Sequence, residues 1–314
     1  MFFKNLKAYA IVLRNEHKII KSHSSEQGKK DFVAAELIRN THSIEKGLSI
    51  ASPRLGFGHA KQKEMMKMVR ELCDSENSYH KDACGMAVSA LKAYLDYHDQ
   101  QSYSDDFIPE MRKFVEEHDG LVSLSGGVVE LQKKDLTFDI ELVEHFFHTR
   151  HSIRDFSDTP VSDDVLLKAL ELAQCSPSAC NRQGVRAYVL SHEKSLKVAK
   201  SMSGIGGFAE AVDRFVMITG KTTSYRINEI NQYIVSASIY AAYLTMTLHL
   251  YGAGCCVIQR PVTWYKQWEQ MREEYSIPDD EQIVLMLAVG NVKDKTTVPM
   301  SHRLDTTEMA SFIR

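Results

Sequence analysis

The sequence predicts an α+β protein of two unequal parts, a helical region over residues 1–135 and a mixed domain over residues 136–314. Three observations point there. In the first part, apolar residues recur at three- and four-residue steps, the period of a half-buried helix, and strand-like alternation is hard to find. In the second, short apolar runs alternate with helical stretches. Between two of those runs lies a long segment, residues 231–250, that is almost free of charge and rich in Ala, Leu, Met and Tyr. A helix of that composition is covered around most of its circumference, by a core or by a second subunit.

Residues 31–48, 61–73 and 83–97 read as helices. The first two are separated by Pro53 and the glycines of PRLGFG, which break a helical repeat. The segment DGLVSLSGGVVELQ, residues 119–132, is the connector. Residues 138–149 form the next helix. Ser162, followed by Asp163 and Asp164, is an N-cap with acidic residues at the positive helix end, and VLLKALELA supplies the apolar face up to Pro177. RAYVLS, AVDRFVMITG and QIVLMLAVG read as strands, the last two buried on both faces.

Composition narrows the function classes. The 314 residues are 44% hydrophobic and 25% charged, with a net charge of -3, which excludes global disorder. The pI near 6.5 offers no concentrated basic face for nucleic acid. Six cysteines without a CxxC pair read as reduced thiols rather than a disulfide framework or zinc site. The N-terminal run AYAIVL is too short for a signal-peptide core, and no run reaches the ~20 apolar residues of a membrane span. The expected location is cytoplasmic, with no membrane or nucleic-acid partner.

Four constellations invite a chemical reading. His145, His148 and His151 recur at every third residue, but that spacing turns them about 60° per step around a helix, so no metal site is expected. GIGGFA, residues 204–209, matches GxGxxA, but a helical segment precedes it and a strand follows, the reverse of a dinucleotide fingerprint; it reads as a loop. TRHSIRDF, residues 149–156, gathers Arg150, His151, Ser152 and Arg154, either an anion clamp or a solvated basic turn. SPSACNRQ, residues 176–183, is either an ordinary loop or a set of small polar groups offered to a flat heterocycle.

Taken together and in this order, these segments resemble the nitroreductase-like flavoprotein family. RHSIRDF resembles that family's RRSxRxF opening, and SPSACNRQ its (A/S)PSxxNxQP segment. YGAGCCVI, residues 251–258, is similar to its GLGxxW strand entry, and PMSHRLD, residues 299–305, to its C-terminal basic motif. The resemblance implies a mixed, mainly antiparallel sheet flanked by helices and a homodimer binding FMN at the subunit interface. NADH or NADPH would be the electron donor and a small organic molecule the acceptor. It assigns Arg150, Ser152 and Arg154 to the flavin phosphate, ribityl chain and ring edge, with His151 of the same motif contributing backbone or ring contacts. Ser176, Pro177 and Ser178 would reach the partner's flavin, Asn181 the pyrimidine side of the ring, and Arg303 the phosphate, with Ser301 where the family often has Lys. The chain departs from the pattern at Gly184, Val185 and Arg186, where the family has Pro and an aromatic, and at Cys256, where it has Trp.

The helical region lies outside that resemblance. Its most distinctive stretch is NTHSIEKGLS, residues 40–49, where His42, Glu45 and Lys46 share a helix face. They are either substrate contacts from an extension folded over the active site, or an exposed charged face ahead of a Gly47 C-cap. The expected activity is an FMN-dependent oxidoreductase. A flavin-dependent dehydrogenase or desaturase of one metabolite, and a non-catalytic flavin-binding module, are the alternatives.

Overall fold

The computed structural model describes residues 2–122, 126–259, 261 and 265–313. Five helices come first: α1 Phe2–Ser24, α2 Glu26–Leu48, α3 His59–Leu72, α4 Ser78–Gln100 and α5 Ile108–Glu117. Side-chain oxygens start two of them. Ser25 accepts from the Gly28 N–H at the head of α2, and Asn77 from the Tyr79 N–H at the head of α4, each satisfying one of the donors a helix N-terminus leaves free. Leu37, Ile44, Met65, Val69, Leu91, Tyr94 and Phe114 interlock in an apolar core drawn entirely from this region.

A 3-10 turn over Asp119–Leu121 leads into the connector, of which residues 123–125 lie outside the described residues. The second part runs α6 Ile140–Thr149, α7 Asp163–Ala173, β1 Val185–Val189, α8 His192–Ala199, β2 Arg214–Lys221, α9 Gln232–Leu250, β3 Ala253–Ile258, α10 Tyr265–Glu274, β4 Glu281–Asn291 and α11 Thr306–Met309. Ser162 caps α7, accepting from the Val165 N–H, as its sequence context predicts. The strands form one antiparallel sheet in the order β1-β2-β4-β3. A parallel bridge from Ser152 to Cys255 adds the RHSIRDF segment to its β3 edge, so the sheet is mixed but mainly antiparallel. One face packs on Trp268 and Met271 of α10 and on Val198 of α8. The other packs on α7 and α9 through Leu166, Ala169, Ala237, Ala241 and Leu244.

Two readings change. Gly47 is not a C-cap: α2 continues through it to Leu48, with Ser49 as its cap. A Cβ there would sit 2.2 Å from the Phe57 ring, so this glycine makes room for close packing. The N-terminal run AYAIVL, residues 8–13, lies inside a 23-residue helix, α1.

Buried charges tie the helical region to the sheet domain. Asp31 of α2 accepts from His80 Nε2 at 2.7 Å and pairs with Lys221 of β2 at 2.8 Å. Burial works against the Asp31 charge, but hydrogen bonds from Lys221, His80 and Gln27 outweigh it and hold the carboxyl below its ordinary range. Glu36, about one and a half turns along α2, receives the Arg226 guanidinium, and His23 Nε2 lies 2.9 Å from the Tyr225 carbonyl.

Candidate functional site

The RHSIRDF segment is fixed in place by two glycines. Its Ile153 N–H donates to the Cys255 carbonyl at 3.0 Å. A Cβ on Gly254 would stand 3.0 Å from Ile153, and one on Gly290 would stand 2.6 Å from the Phe156 ring. Ile153 and Phe156 are buried beneath the sheet edge, while Arg150, His151 and Ser152 are half-buried and Arg154 is exposed.

Arg150 and His151 line a cavity of about 270 Å³ with Thr149, Thr245, His249, Cys255 and Val298. Arg150 is half-buried, and among the described residues no carboxylate lies within ion-pair distance of it. His249 bonds Thr149 Oγ1 at 3.0 Å. Burial, reinforced by the Arg150 charge, holds this imidazole below its ordinary pKa. Burial also pushes the Cys255 thiol up to about 12, so it is a neutral wall group and not a nucleophile. The cavity is therefore locally positive inside an acidic chain and suits an anion such as a phosphate monoester.

SPSACNRQ adopts a constrained loop. Cys180, Asn181 and Gln183 have φ of 52°, 56° and 50°, the left-handed region that non-glycine residues rarely enter. The loop holds this shape because Arg182 is only 1% exposed. Its Nε donates to the Ala179 carbonyl at 3.0 Å, and its two terminal nitrogens clasp Glu229 at 2.7 and 2.6 Å. Ser178 Oγ accepts from the Gln183 N–H at 3.0 Å and closes the turn. Arg182 was not singled out from the sequence, where it reads as one more polar loop residue; its buried bidentate role depends on Glu229, 47 positions away.

Ser176 and Ser178 line a second, larger cavity of about 420 Å³, walled by Ile38 of α2, Ser78, Tyr79, Asp82 and Met86 of α4, Leu170, Arg186 of β1, and Tyr240 of α9. Pro177 is exposed beside it and Asn181 is half-buried. The helical extension thus folds against the segment that the sequence analysis assigned to the flavin. His42 and Glu45 lie one and two turns beyond Ile38 along α2. His42 Nδ1 meets Glu45 Oε2 at 3.3 Å, and Glu45 Oε1 accepts from the Gly127 N–H at 3.3 Å. Lys46 is exposed. Glu45 thus ties the connector to α2, and none of the three residues lines either cavity.

Within one chain the predicted residues therefore fall into three places. Arg150 and His151 share the first cavity, with Ser152 and Arg154 flanking it on the same strand. Ser176 and Ser178 belong to the second. Ser301 and Arg303 lie in an exposed C-terminal tail, where Arg303 donates to the Ser301 carbonyl at 2.6 Å. His145 and His148 sit on α6, and no group of three metal-ligating side chains occurs among the described residues.

Residues 148–230 match the model of the Nitroreductase family. An FMN-dependent nitroreductase from Clostridium difficile R20291 is similar at 23% identity, over 54% of this chain and 98% of its own, with a TM-score of 0.46. A nitroreductase-like protein from Streptococcus mutans shares 17% identity over 56% of this chain and 100% of its own, with a TM-score of 0.48. A nitroreductase family protein from Streptococcus pneumoniae TIGR4 shares 18% over 55% and 100%, with a TM-score of 0.46. No curated protein matches the chain.

Proposed function

We propose, for a chain that carries a nitroreductase-family segment over residues 148–230, that it is an FMN-dependent oxidoreductase working as a homodimer. The observation that carries this reading is the half-buried Arg150, without a carboxylate at ion-pair distance among the described residues, beside His249 held below its ordinary pKa, in a cavity that one anionic group would complete. Arg150, with Ser152 and Arg154 next to it, would hold the phosphate and ribityl chain. Arg303 would join them from the tail of either subunit. Ser176, Ser178 and Asn181 would offer hydrogen bonds to a flavin ring seated on the partner. Bound FMN supplies two-electron chemistry, accepting a hydride from NADH or NADPH and passing it to an organic acceptor. The protein's own task is to hold donor and acceptor in turn against one ring and to keep water away.

Unpartnered apolar surface supports the dimer. Ile140, Leu142 and Phe147 of α6 are each more than 60% exposed, and Ile234, Val235 and Tyr243 of α9 and Met300, Leu304 and Phe312 of the tail also face outward. Exposed large apolar side chains in such number suit an interface with a second copy. α9 has the length and composition of a membrane-crossing helix, yet seven of its residues are buried within the chain, which suits a core helix whose outer face meets a second copy.

The test is anaerobic. Purified protein loaded with FMN is mixed with NADH or NADPH, and the flavin absorbance near 450 nm is followed, together with the mass in solution. Bleaching by either nucleotide and a dimer mass support the proposal. FMN uptake without bleaching favours the dehydrogenase or non-catalytic alternatives, and a protein that takes up no FMN refutes all three.

A further inference from the structure

The second cavity carries chemistry that flavin binding does not use. Arg186 stands on β1 with its guanidinium 5.8 Å from the centre of the Tyr79 ring. Its one hydrogen bond is donated by a terminal nitrogen to the Val185 carbonyl at 2.9 Å. Among the described residues no carboxylate lies within ion-pair distance of it, although its side chain is half-buried. By contrast, the neighbouring cations are neutralised: Arg182 by Glu229, Lys221 by Asp31, Arg226 by Glu36. A half-buried guanidinium left without a counter-charge at the wall of a cavity is poised to receive an anion from solution.

The rest of the wall defines the body of that ligand. Ile38, Met86 and Leu170 are apolar, and the rings of Tyr79 and Tyr240 flank them. The Tyr79 hydroxyl is occupied, donating to the Arg182 carbonyl at 3.3 Å, and that of Tyr240 donates to the Leu170 carbonyl at 3.4 Å. Both tyrosines therefore present ring rather than hydroxyl. Asp82 is the one carboxylate on the wall, and it is exposed, where water and salt screen it.

We propose that this cavity binds the electron acceptor, and that the acceptor is a planar organic anion whose carboxylate or phosphate is held by Arg186. The inference rests on the flavin reading, which places the ring beside Ser176 and Ser178 on the same wall. Arg186 is then the residue that sets specificity, and the helical extension supplies half of the site through Ile38, Tyr79 and Met86.

Binding is measured by calorimetry on the purified protein, as isolated and after flavin loading, with 4-nitrobenzoate and its neutral counterpart 4-nitrobenzyl alcohol. The anion is expected to bind at least tenfold tighter. Arg186→Ala should erase that preference, Arg186→Lys should keep part of it, and Asp82→Asn should tighten the anion slightly. The flavin content of Arg186→Ala should match the wild type. Equal affinity for the two probes overturns the proposal, as does a preference that survives Arg186→Ala. Loss of flavin in Arg186→Ala overturns it too, by assigning the arginine to the cofactor. If the protein takes up no flavin yet discriminates the probes through Arg186, the flavin reading fails and the anion site stands.

Discussion

Replacing Glu229 with Gln tests how the loop at residues 176–183 is held. Arg182 is 1% exposed and relies on Glu229 for both terminal nitrogens, whereas the Glu229 side chain keeps 32% of its surface in water. Removing the carboxylate charge leaves a cation buried among Tyr225, Ala179 and the loop backbone. Breaking a buried pair from one side costs about 3–5 kcal/mol, and the partial exposure of this one places it near 3 kcal/mol. For a chain of this size that corresponds to a Tm lower by about 4–5 °C. The Arg182 bond, helped by Arg226, holds the Glu229 carboxyl below its ordinary range against a smaller opposing effect of burial. The stabilisation is therefore complete at pH 7, still present at the ordinary carboxylate pKa, and lost only as pH falls through the depressed value. Calorimetric melting of wild type and Glu229→Gln at pH 7 and near pH 2, below the depressed value, reads both effects. A variant that melts with the wild type at pH 7 refutes the account of the loop, as does a gap that is the same at both pH values.

Three further outcomes follow from the geometry. Gly290→Ala drives a Cβ to 2.6 Å from the Phe156 ring and should cost about 1–3 kcal/mol of stability, read by urea unfolding, with weaker binding of anions at the displaced RHSIRDF strand. Asp31→Asn leaves Lys221 with only the longer contact to Asp280 at 3.7 Å; about 3 kcal/mol should be lost, with faster hydrogen exchange in α1 and α2 than in β4. Because the His249 pKa is lowered on folding, the folded chain resists its protonation, so stability should decline as pH falls below about 6.5. His249→Gln should flatten that decline, and phosphate should do so in the wild type by countering the Arg150 charge; NMR titration of the imidazole checks both.

Helices α2, α3, α4, α6, α7 and α9 and strands β1, β2 and β4 were legible because their apolar residues keep a period that burial enforces, whereas α1, α5 and α10 were not read as helices. Residues 231–250 announced α9, and Ser162 with its two aspartates announced the head of α7. RHSIRDF was legible as a basic cluster, though only the fold shows what seats it: Gly254, 101 positions after Ile153, and Gly290, 134 positions after Phe156, leave the space beneath those two side chains. Gly47 misled for a related reason. A glycine near a helix end reads as a cap, and nothing local reveals the Phe57 ring lying against it. The contacts between the two parts were not legible at all. Asp31 with Lys221 and Glu36 with Arg226 join residues 190 positions apart, and charge pairing carries no period; within the second part, Arg182 with Glu229 was hidden in the same way. The second cavity, built from α2, α4 and β1 together, was hidden for the same reason.

The central claim is that Arg150 marks a flavin phosphate site, and FMN titration of the flavin-free protein tests it most directly. Fluorescence quenching should give one FMN per chain. Riboflavin, which lacks the phosphate, should bind far more weakly, and Arg150→Ala should cost FMN about 1.5–3 kcal/mol, the scale of a charged hydrogen bond, while leaving riboflavin affinity unchanged. Equal binding of FMN and riboflavin, or an Arg150→Ala variant that binds FMN as the wild type does, would contradict the account.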